Sequence, residues 1–340
     1  MISEAANRIL GAFHEPFVVD DQTINVTASL GIAVHPDDSV SVEGLFRAAD
    51  LAMYKVKGTQ RNAYRFYDPE TDRETSERVR LARDLRSSFT TGQLWMALQP
   101  QVSLTSGQLM AAEALLRWNT EAWDGVTPAR LISVAEESGI IHSLGDWVLA
   151  EVCGLMRNWM DAGLPPMRFG VNLSAMQLAA DKAAEGILKA LLRQSIEPRW
   201  LQVEITESVL LQHSERVRNN IRQLHEAGIG LVLDDFGTGY SSLTYLRQFP
   251  VQSLKIDLSF VQGVGTNRSD EQIIAALIDL SHALGIQVCA EGVETIEQVE
   301  FLRSRGCDLA QGYFFCHPIS VDQLQDLLAK GTSWPAKLSQ

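Results

Sequence analysis

The chain has 340 residues, a formal net charge of −13, and 46% hydrophobic against 21% charged residues. This composition is typical of a folded globular protein and excludes the disordered and fibrous classes. The negative charge argues against a DNA or RNA duplex as partner, because duplex binding depends on neutralising phosphates with lysine and arginine. No apolar run reaches the roughly 18 residues of a membrane-spanning helix, and no signal peptide is recognisable, so we expect no membrane insertion and a cytoplasmic protein.

The N-terminal stretch predicts a small α+β segment. Residues 23–34 alternate as a strand does, residues 42–57 carry apolar side chains at helical spacing, and residues 63–68 follow as a second short strand. These elements are too few to bury a core of their own. We therefore predict a partial α+β segment over residues 1–70, followed by an arginine-rich linker helix over residues 71–92.

From residue 93 to residue 334, short apolar strands alternate with amphipathic helices. The strands are predicted at residues 94–103, 108–117, 168–173, 201–206, 230–235, 252–257, 286–291 and 309–315. The helices between them are predicted at residues 141–162, 178–193, 207–227, 269–284 and 294–305. This pattern predicts a (β/α)8 TIM-like barrel.

The first two barrel strands are joined by the short turn "LTSGQ" at residues 104–108. Because so short a turn has no room for a helix, it must form a hairpin, and we expect an antiparallel first strand. The alternative fold is an open doubly wound sheet. No Gly-x-Gly-x-x-Gly turn follows the first strand to support that alternative.

Polar groups, mostly acids, stand at the ends of the predicted strands. They are Glu113, Arg117, Asn172, Glu204, Glu207, Asp234, Asp235, Lys255, Asp257, Glu291 and Gln311. Barrel enzymes place their chemistry at the C-terminal strand ends. Several carboxylates gathered there need cations, since an unpaired buried carboxylate costs several kcal/mol. Oxygen ligands without cysteine or histidine favour Mg²⁺ or Mn²⁺.

Asp234 and Asp235 are adjacent in "LVLDDFGTGYSSL", where the fifth strand is predicted to stop. Neighbouring strand residues point to opposite faces, but beyond the strand end both side chains can turn into the barrel opening. One carboxylate could then bridge two ions about 3.5–4 Å apart, as in two-metal phosphoryl chemistry. The glycines that follow predict a tight, mobile loop beside those ions.

Seven motifs, read in order, resemble those of the EAL-domain cyclic di-GMP phosphodiesterases. They are "EALLRW", "NLSA", "EITES", "DDFGTGYSSL", "LKID", "AEGVE" and "QGY". Upstream, "VTASLGIAVHPDD" and "LFRAADLAMYKVKGTQRNAYRFYDP" resemble the second half of a GGDEF diguanylate cyclase domain. This chain contains no Gly-Gly pair, so we expect no cyclase activity.

The EAL resemblance implies hydrolysis of cyclic di-GMP to linear pGpG with two Mg²⁺ or Mn²⁺ ions. The implied ligands of the two metals are Glu113, Asn172, Glu204, Asp234 and Asp235. The implied catalytic residues are Lys255 and Glu291, which position and deprotonate the water, and Glu207, which anchors the loop after the fifth strand. The implied substrate-binding residues are Gln99, Leu115, Arg117, Asp257 and Gln311. The resemblance also implies a homodimer through barrel helices.

Two alternative functions remain open. A catalytically silent cyclic di-GMP receptor can lose acids, whereas hydrolysis needs the full set, which this chain has. An enolase-like barrel would want a lysine or histidine base apart from a three-carboxylate Mg²⁺ site, and it explains the Asp-Asp pair less well. The chain departs from the family at Leu98 and at Thr120-Glu121, where we expect altered loop shape or affinity. Its four cysteines are predicted to be reduced packing residues.

Overall fold

The computed structural model describes residues 2–13, 17–19, 22–24, 26–59, 62–211, 214–237 and 248–329. The chain divides into two compact units, Met1–Arg83 and Asp84–Gln340. None of the helices in the described stretches is both long enough and apolar enough to pass through a bilayer.

The first unit combines two small sheets with helices. Its helices are α1 (Ile2–Gly11), α2 (Val42–Thr59) and the start of α3 (Pro69–Ser88). Its strands are β1 (Phe17–Val19) and β2 (Gln22–Ile24), paired antiparallel, and β3 (Ser29–Ile32) and β4 (Ala63–Phe66), paired parallel. Gly31 lets α2 lie on β3, because a Cβ there would stand 1.9 Å from the carbonyl oxygen of Ala49. The strand predicted over residues 23–34 is interrupted, since β2 and β3 belong to different sheets.

The second unit is a closed eight-stranded barrel. Its strands are β5 (Leu94–Ser103), β6 (Leu109–Trp118), β7 (Arg168–Asn172), β8 (Leu201–Thr206), β9 (Gly230–Phe236), β10 (Ser253–Ile256), β11 (Gln287–Ala290) and β12 (Leu309–Ala310). Strands β6 to β12 run parallel, and β5 is antiparallel to both of its neighbours, β6 and β12. The predicted barrel with an antiparallel first strand is confirmed.

Helices surround the barrel and cover its outer face. They are α4 (Pro128–Glu137), α5 (Ile141–Asp161), α6 (Ala175–Leu178), α7 (Ala183–Arg193), α8 (Glu207–Leu211), α9 (Glu215–Glu226), α10 (Leu258–Val261), α11 (Arg268–Ala283), α12 (Ile296–Ser304) and α13 (Val321–Ala329). Their apolar faces join the outward residues of the strands in one continuous core. Trp159 of α5, for example, meets Phe169 of β7 edge to face, with ring centroids 6.0 Å apart. Packing of the helices on the outward faces of the strands thereby holds the strands, and with them the inward polar residues, in place.

Two predicted helices are each divided in the structure. The helix predicted over residues 178–193 is replaced by α6 and α7, because Lys182 adopts a left-handed backbone with φ 60°. The helix predicted over residues 207–227 is replaced by α8 and α9. Ser214 caps α9, its hydroxyl accepting a hydrogen bond from the backbone N–H of Val217.

Two further boundaries differ from the predictions. The last barrel strand is Leu309–Ala310, much shorter than the predicted residues 309–315. The predicted linker helix of residues 71–92 corresponds to Pro69–Ser88, and the division between the units falls inside that helix. The domain limits at residues 70 and 92 stay predictions.

The C-terminal ends of β6 to β12 meet at one end of the barrel, which we call the mouth. Strand β5 runs the opposite way, so it begins at the mouth, where Leu94 pairs with Trp118. The polar residues predicted to carry the chemistry therefore converge at one end of the molecule's largest unit.

Candidate active site

Lys255 lies at the centre of the acidic side chains inside the mouth. Strand β10 directs it inward, and only 1% of the residue is exposed. Its Nζ is 2.7 Å from Glu204 Oε2, 3.0 Å from Glu113 Oε2, 3.3 Å from Asp234 Oδ2 and 2.6 Å from Glu291 Oε1. The strands β6, β8, β9 and β11 thus each supply one carboxylate, in or directly after the strand, to a single ammonium group.

A layer of amides fixes Glu113 in place. Asn172 Nδ2 donates to Glu113 Oε1 at 2.7 Å, and Gln311 Nε2 donates to Glu113 Oε2 at 2.7 Å. Gln311 Nε2 also donates to Gln99 Oε1, and Gln311 Oε1 accepts from Gln101 Nε2, both at 2.9 Å. These bonds connect β5, β6, β7 and the end of β12 across the barrel interior.

Glu204 owes its position to a glycine on the neighbouring strand. A Cβ at Gly170 would stand 1.9 Å from Glu204 Oε1, so a larger residue there would displace the carboxylate. Glu204 Oε2 binds Lys255, whereas Oε1 is buried and has no hydrogen-bond partner among the described residues. A buried carboxylate oxygen without a partner is costly, and a cation bound beside it would remove that cost.

Asp234 and Asp235 both lie within β9, as in the predicted strand of residues 230–235, so their side chains do not turn into the barrel opening beyond the strand end as expected. Asp235 has a left-handed backbone with φ 55°, and the register of β9 against β10 shifts there: Leu254 pairs with Leu233, but Ile256 pairs with Phe236. One extra residue on β9 forms a β-bulge, which breaks the strict alternation of side chains. The two adjacent carboxylates can therefore serve the same site, and the backbone N–H of Asp235 donates to Asp234 Oδ1 at 2.9 Å.

Electrostatics divide the buried groups. Burial alone would lower the pKa of Lys255, but the four surrounding carboxylates raise its pKa well above the ordinary value. Burial alone would raise the pKa of Glu113, yet the charge of Lys255 and the hydrogen bonds from Gln311, Lys255 and Asn172 hold its pKa below the ordinary value. Both groups are therefore charged at neutral pH.

The other acids hold protons more strongly. Burial raises the pKa of Glu204 well above its ordinary value, with Lys255 opposing the shift and the charges of Glu113 and Asp234 adding to it. Burial likewise raises the pKa of Glu291 to about 8, against the opposing charge of Lys255. The pKa of Asp235 is raised by burial and then by the charge of Asp234. The single positive charge of Lys255 does not neutralise the negative charge that all of these acids would carry when ionised.

The acids form two groups suited to divalent ions. Glu113, Glu204 and Asp234 bring ligand oxygens within 4.8 Å of one another, and so do Asp234, Asp235 and Glu291. Asp234 belongs to both groups, as expected for a carboxylate shared by two ions. The donors are all oxygen, and Glu204 Oε1 lacks a partner within the described chain, so the residues present fit hard cations such as Mg²⁺ or Mn²⁺.

The remaining predicted residues lie around this cluster. Leu115 and Arg117 share the inward face of β6 with Glu113, since side chains alternate along a strand. Asp257 caps α10, its Oδ1 accepting from the backbone N–H of Ser259 at 2.9 Å, and its charge acts on Asp235. Glu207 is buried at the start of α8. The loop that it is predicted to anchor, residues 238–247, lies outside the described residues.

Sequence reasoning missed two residues that shape the site. Gln101 holds Gln311 but was not predicted; its signal was its position two residues after Gln99, on the same strand face. Gly170 provides the space for Glu204, and no pattern in a single sequence marks a glycine as necessary for that reason.

The two departures from the family motifs lie off the carboxylate cluster. Leu98 is fully buried on the outward face of β5, where its backbone bonds Ile319. Thr120 precedes a short 3-10 turn, Glu121–Trp123, that follows β6 at the rim. Neither departure removes an acid from the site.

Family models match nearly the whole chain. The model described as "EAL domain" matches residues 82–318, and the model described as "Diguanylate cyclase, GGDEF domain" matches residues 1–63. These limits agree with a barrel preceded by a small α+β segment.

Named relatives and a solved structure are also similar. MucR of Pseudomonas aeruginosa, a bifunctional diguanylate cyclase/cyclic di-GMP phosphodiesterase, is 37% identical over 319 residues, which are 94% of this chain and 47% of MucR. The cyclic di-GMP phosphodiesterase NbdA of the same organism is 34% identical over 323 residues, 95% of this chain and 41% of NbdA. This chain thus spans less than half the length of either relative.

The solved structure titled PaMucR phosphodiesterase, c-di-GMP complex, is similar to this chain. The two sequences are 39% identical, and the structures superpose with a TM-score of 0.69. The alignment covers 72% of this chain and 99% of the solved chain. The chain belongs to the EAL-domain family, with a partial GGDEF segment ahead of its barrel.

Proposed function

We propose that the barrel hydrolyses cyclic di-GMP to linear pGpG with two Mg²⁺ or Mn²⁺ ions. The observation that carries this proposal is the pair of acidic groups that share Asp234 beside Lys255. The names of MucR and NbdA, and the ligand in the PaMucR structure, favour the same substrate.

In this proposal Glu113, Asn172, Glu204 and Asp234 hold one ion, and Asp234 with Asp235 holds the other. Asn172 would offer its amide oxygen, which requires the amide to turn from its present hydrogen bond to Glu113. Two divalent ions bound there would neutralise the charge of the phosphodiester and lower the pKa of a water molecule.

The protein groups position the reactants and move the proton. Lys255 holds a fixed positive charge beside the attacked phosphate. Glu291, whose Oε1 lies 2.6 Å from Lys255 Nζ, takes the proton from the attacking water in its ionised form. The water oxygen bonds to phosphorus, one phosphorus–oxygen bond to a ribose breaks, and the released ribose oxygen takes up a proton. One phosphodiester is thereby opened, and the product is linear.

The ligand-binding residues of the proposal lie along β5, β6 and the ends of β10 and β12. They are Gln99, Leu115, Arg117, Asp257 and Gln311. Arg117 provides a cation at the rim for a phosphate or a guanine edge. Gln99 and Gln311 are joined to each other and to Glu113, so a ligand that contacts them is placed relative to the acids.

The direct test is to incubate the protein with cyclic di-GMP and Mg²⁺ and to separate the products by chromatography. We expect pGpG from the wild type and none from Glu113→Ala or from a sample treated with EDTA. Lys189→Met, an exposed change on α7, serves as the matched variant that should keep full activity.

The alternative, a receptor that binds without hydrolysis, predicts a different result. Intact ligand would be recovered, and equilibrium dialysis would show it bound. In that case Leu98 and Thr120-Glu121 become the first positions to restore to the family residues.

Dimerisation through barrel helices and a regulatory role for Glu207 belong to the same proposal. Glu207 is buried directly after β8, close in sequence to Glu204, and so is suited to couple the following loop to metal binding. Light scattering measures the dimer, and Glu207→Ala tests the coupling. Unchanged Mg²⁺ affinity together with an unchanged rate would contradict the coupling.

We propose no cyclase activity for the partial GGDEF segment, which GTP turnover assays can check.

A further inference from the structure

Trp95 faces the inside of the mouth. The register between β5 and β6 is unbroken from Leu94 to Gln101, where a shift follows. Gln99 and Gln101 both point inward, since their side chains bond Gln311. Side chains on one strand face recur every second residue, so Trp95 and Ala97 share this inward face.

Trp95 is also more exposed to solvent than its neighbours on β5. It is 39% exposed, whereas Leu94, Met96 and Ala97 are 4%, 6% and 0% exposed. The small Ala97 lies between the indole and Gln99, so nothing bulky on β5 separates the indole from the site. An inward-facing tryptophan at an open rim has one surface against the barrel and another available to a ligand.

The opposite strand completes the arrangement. Arg117 is the cross-strand partner of Trp95, Leu115 that of Ala97, and Glu113 that of Gln99. Directly opposed side chains on one face lie about 4.5–5.5 Å apart at their Cβ atoms. From the interior to the rim, the hairpin therefore offers first an acid and an amide, next aliphatic groups, and last a cation with an aromatic ring.

This order matches the parts of a nucleotide. A phosphate belongs with the ions at Glu113, a ribose beside Leu115 and Ala97, and a base at Trp95 and Arg117. Aromatic rings bind bases by stacking on their flat faces, and an arginine adds a planar cation with hydrogen-bond donors. Ions held by the central acids would bind any phosphodiester, so recognition of the base needs groups farther out.

We infer that Trp95 is a stacking platform for one guanine base of the dinucleotide, with Arg117 beside it. This inference rests on the proposed function, because it assigns a base to the same site. It makes Trp95 a substrate-binding residue that sets affinity and base preference, with no part in the chemical step.

The test is the steady-state kinetics of Trp95→Ala with two substrates. For cyclic di-GMP we expect the KM to rise about 5- to 150-fold, the range given by loss of one stacked base. The kcat should stay within about twofold, and Trp95→Phe should recover most of the affinity. With bis(p-nitrophenyl) phosphate, whose single rings offer less stacking surface than a guanine, kcat/KM should fall by a clearly smaller factor than with cyclic di-GMP.

Trp200→Ala is the matched control. Trp200 lies just before β8, at the end of the barrel opposite the mouth, and also has an arginine beside it, with Arg199 Cζ 5.0 Å from the ring centroid. Its removal should leave both KM values unchanged. An unchanged KM for cyclic di-GMP in Trp95→Ala would overturn the inference. So would a parallel loss of activity on both substrates with a lowered melting temperature, because Trp95 would then be structural.

Failure of the proposed function gives a different result. If the wild type leaves cyclic di-GMP intact, the hydrolysis proposal fails, and equilibrium dialysis with GMP and CMP decides on the platform. A stacking platform binds GMP more tightly than CMP in the wild type and loses that preference in Trp95→Ala. Equal GMP affinity in both proteins would overturn it.

Discussion

Lys255 gives the mouth its own counter-charge. Its ammonium group contacts four carboxylates while fully buried, so these acids do not stand unpaired in the barrel interior. Breaking a buried ion pair by removing one partner is far more damaging than never having the pair. The lysine therefore supports the fold as well as the proposed chemistry.

Replacing this lysine should destabilise the barrel. We expect Lys255→Met to lower the free energy of unfolding by about 3–5 kcal/mol, because it leaves buried carboxylates uncompensated. Urea unfolding followed by circular dichroism measures the change. Lys189→Met removes an exposed pair with Glu185 and should leave the free energy of unfolding nearly unchanged. Equal stabilities of the two variants would contradict the central role of Lys255.

Gly170 allows a test of ligand placement that leaves every ligand in the chain. Gly170→Ala should reduce Mg²⁺ affinity at least about tenfold, because displaced ligands and their supporting residues typically cost that much. The new Cβ would stand 1.9 Å from Glu204 Oε1. Titration calorimetry with Mg²⁺ measures the affinity. Gly186→Ala, which meets no atom within 4 Å, should bind Mg²⁺ as the wild type does.

Among the elements, β9 departs from regular strand geometry at the site itself. A strand with strict alternation would send Asp234 and Asp235 to opposite faces. The bulge and the left-handed backbone of Asp235 remove this restriction. Aspartate and asparagine tolerate that backbone better than most residues, so the residue type suits the conformation as well as the charge.

Two replacements at Asp235 separate the backbone from the carboxylate. Asp235→Gly and Asp235→Val both remove the charge, but only glycine accepts a positive φ without cost. We expect the valine variant to be about 1–2 kcal/mol less stable than the glycine variant in urea unfolding. Similar stabilities would show that the positive φ at this residue is absent in solution.

The elements also show where sequence reasoning succeeds and where it stops. The barrel strands were predictable because alternating or apolar runs between turn residues carry a strong signal. The breaks at Lys182 and at Ser214 were missed, because helical spacing continues across both of them. The bulge was missed for a similar reason, because a period of two carries no sign of an inserted residue. The strand predicted over residues 230–235 ended only one residue short of β9.

At the scale of the whole molecule, the acids of the site were more predictable than the residues that hold them in position. Acids at strand ends were visible because each breaks an apolar run, and a closed barrel brings such ends together. The residues that hold those acids were less visible. Gln101 reads as an ordinary polar strand residue, and the importance of Gly170 depends on the side chain of the next strand.

The closed fold also protects the thiols, which offers a probe of global unfolding. Burial raises the pKa of Cys153 to about 11 and that of Cys307 to about 12, and Cys289 is buried with a raised pKa as well. At pH 8 these groups hold almost no thiolate, the form that reacts.

We expect Ellman's reagent at pH 8 to react promptly with no more than one thiol, the partly buried Cys316, whose pKa burial also raises. In guanidinium chloride all four cysteines of the chain should react. Cys316→Ser should remove any prompt phase. Two or more prompt thiols in the native protein would contradict the tight closure of the barrel.

The reversed direction of β5 has a mechanical consequence. In a fully parallel barrel the chain enters at the end opposite the mouth, but here it enters at the rim, two residues beyond Gly92. The last turn of α3 is fastened to that rim: Trp123 Nε1 donates to Asp84 Oδ2 at 3.1 Å, and Ser88 Oγ donates to Gln93 Oε1 at 3.1 Å. A displacement of this helix would therefore be transmitted directly to β5, the strand that carries Trp95 and Gln99. It would not first have to move the other strands of the barrel.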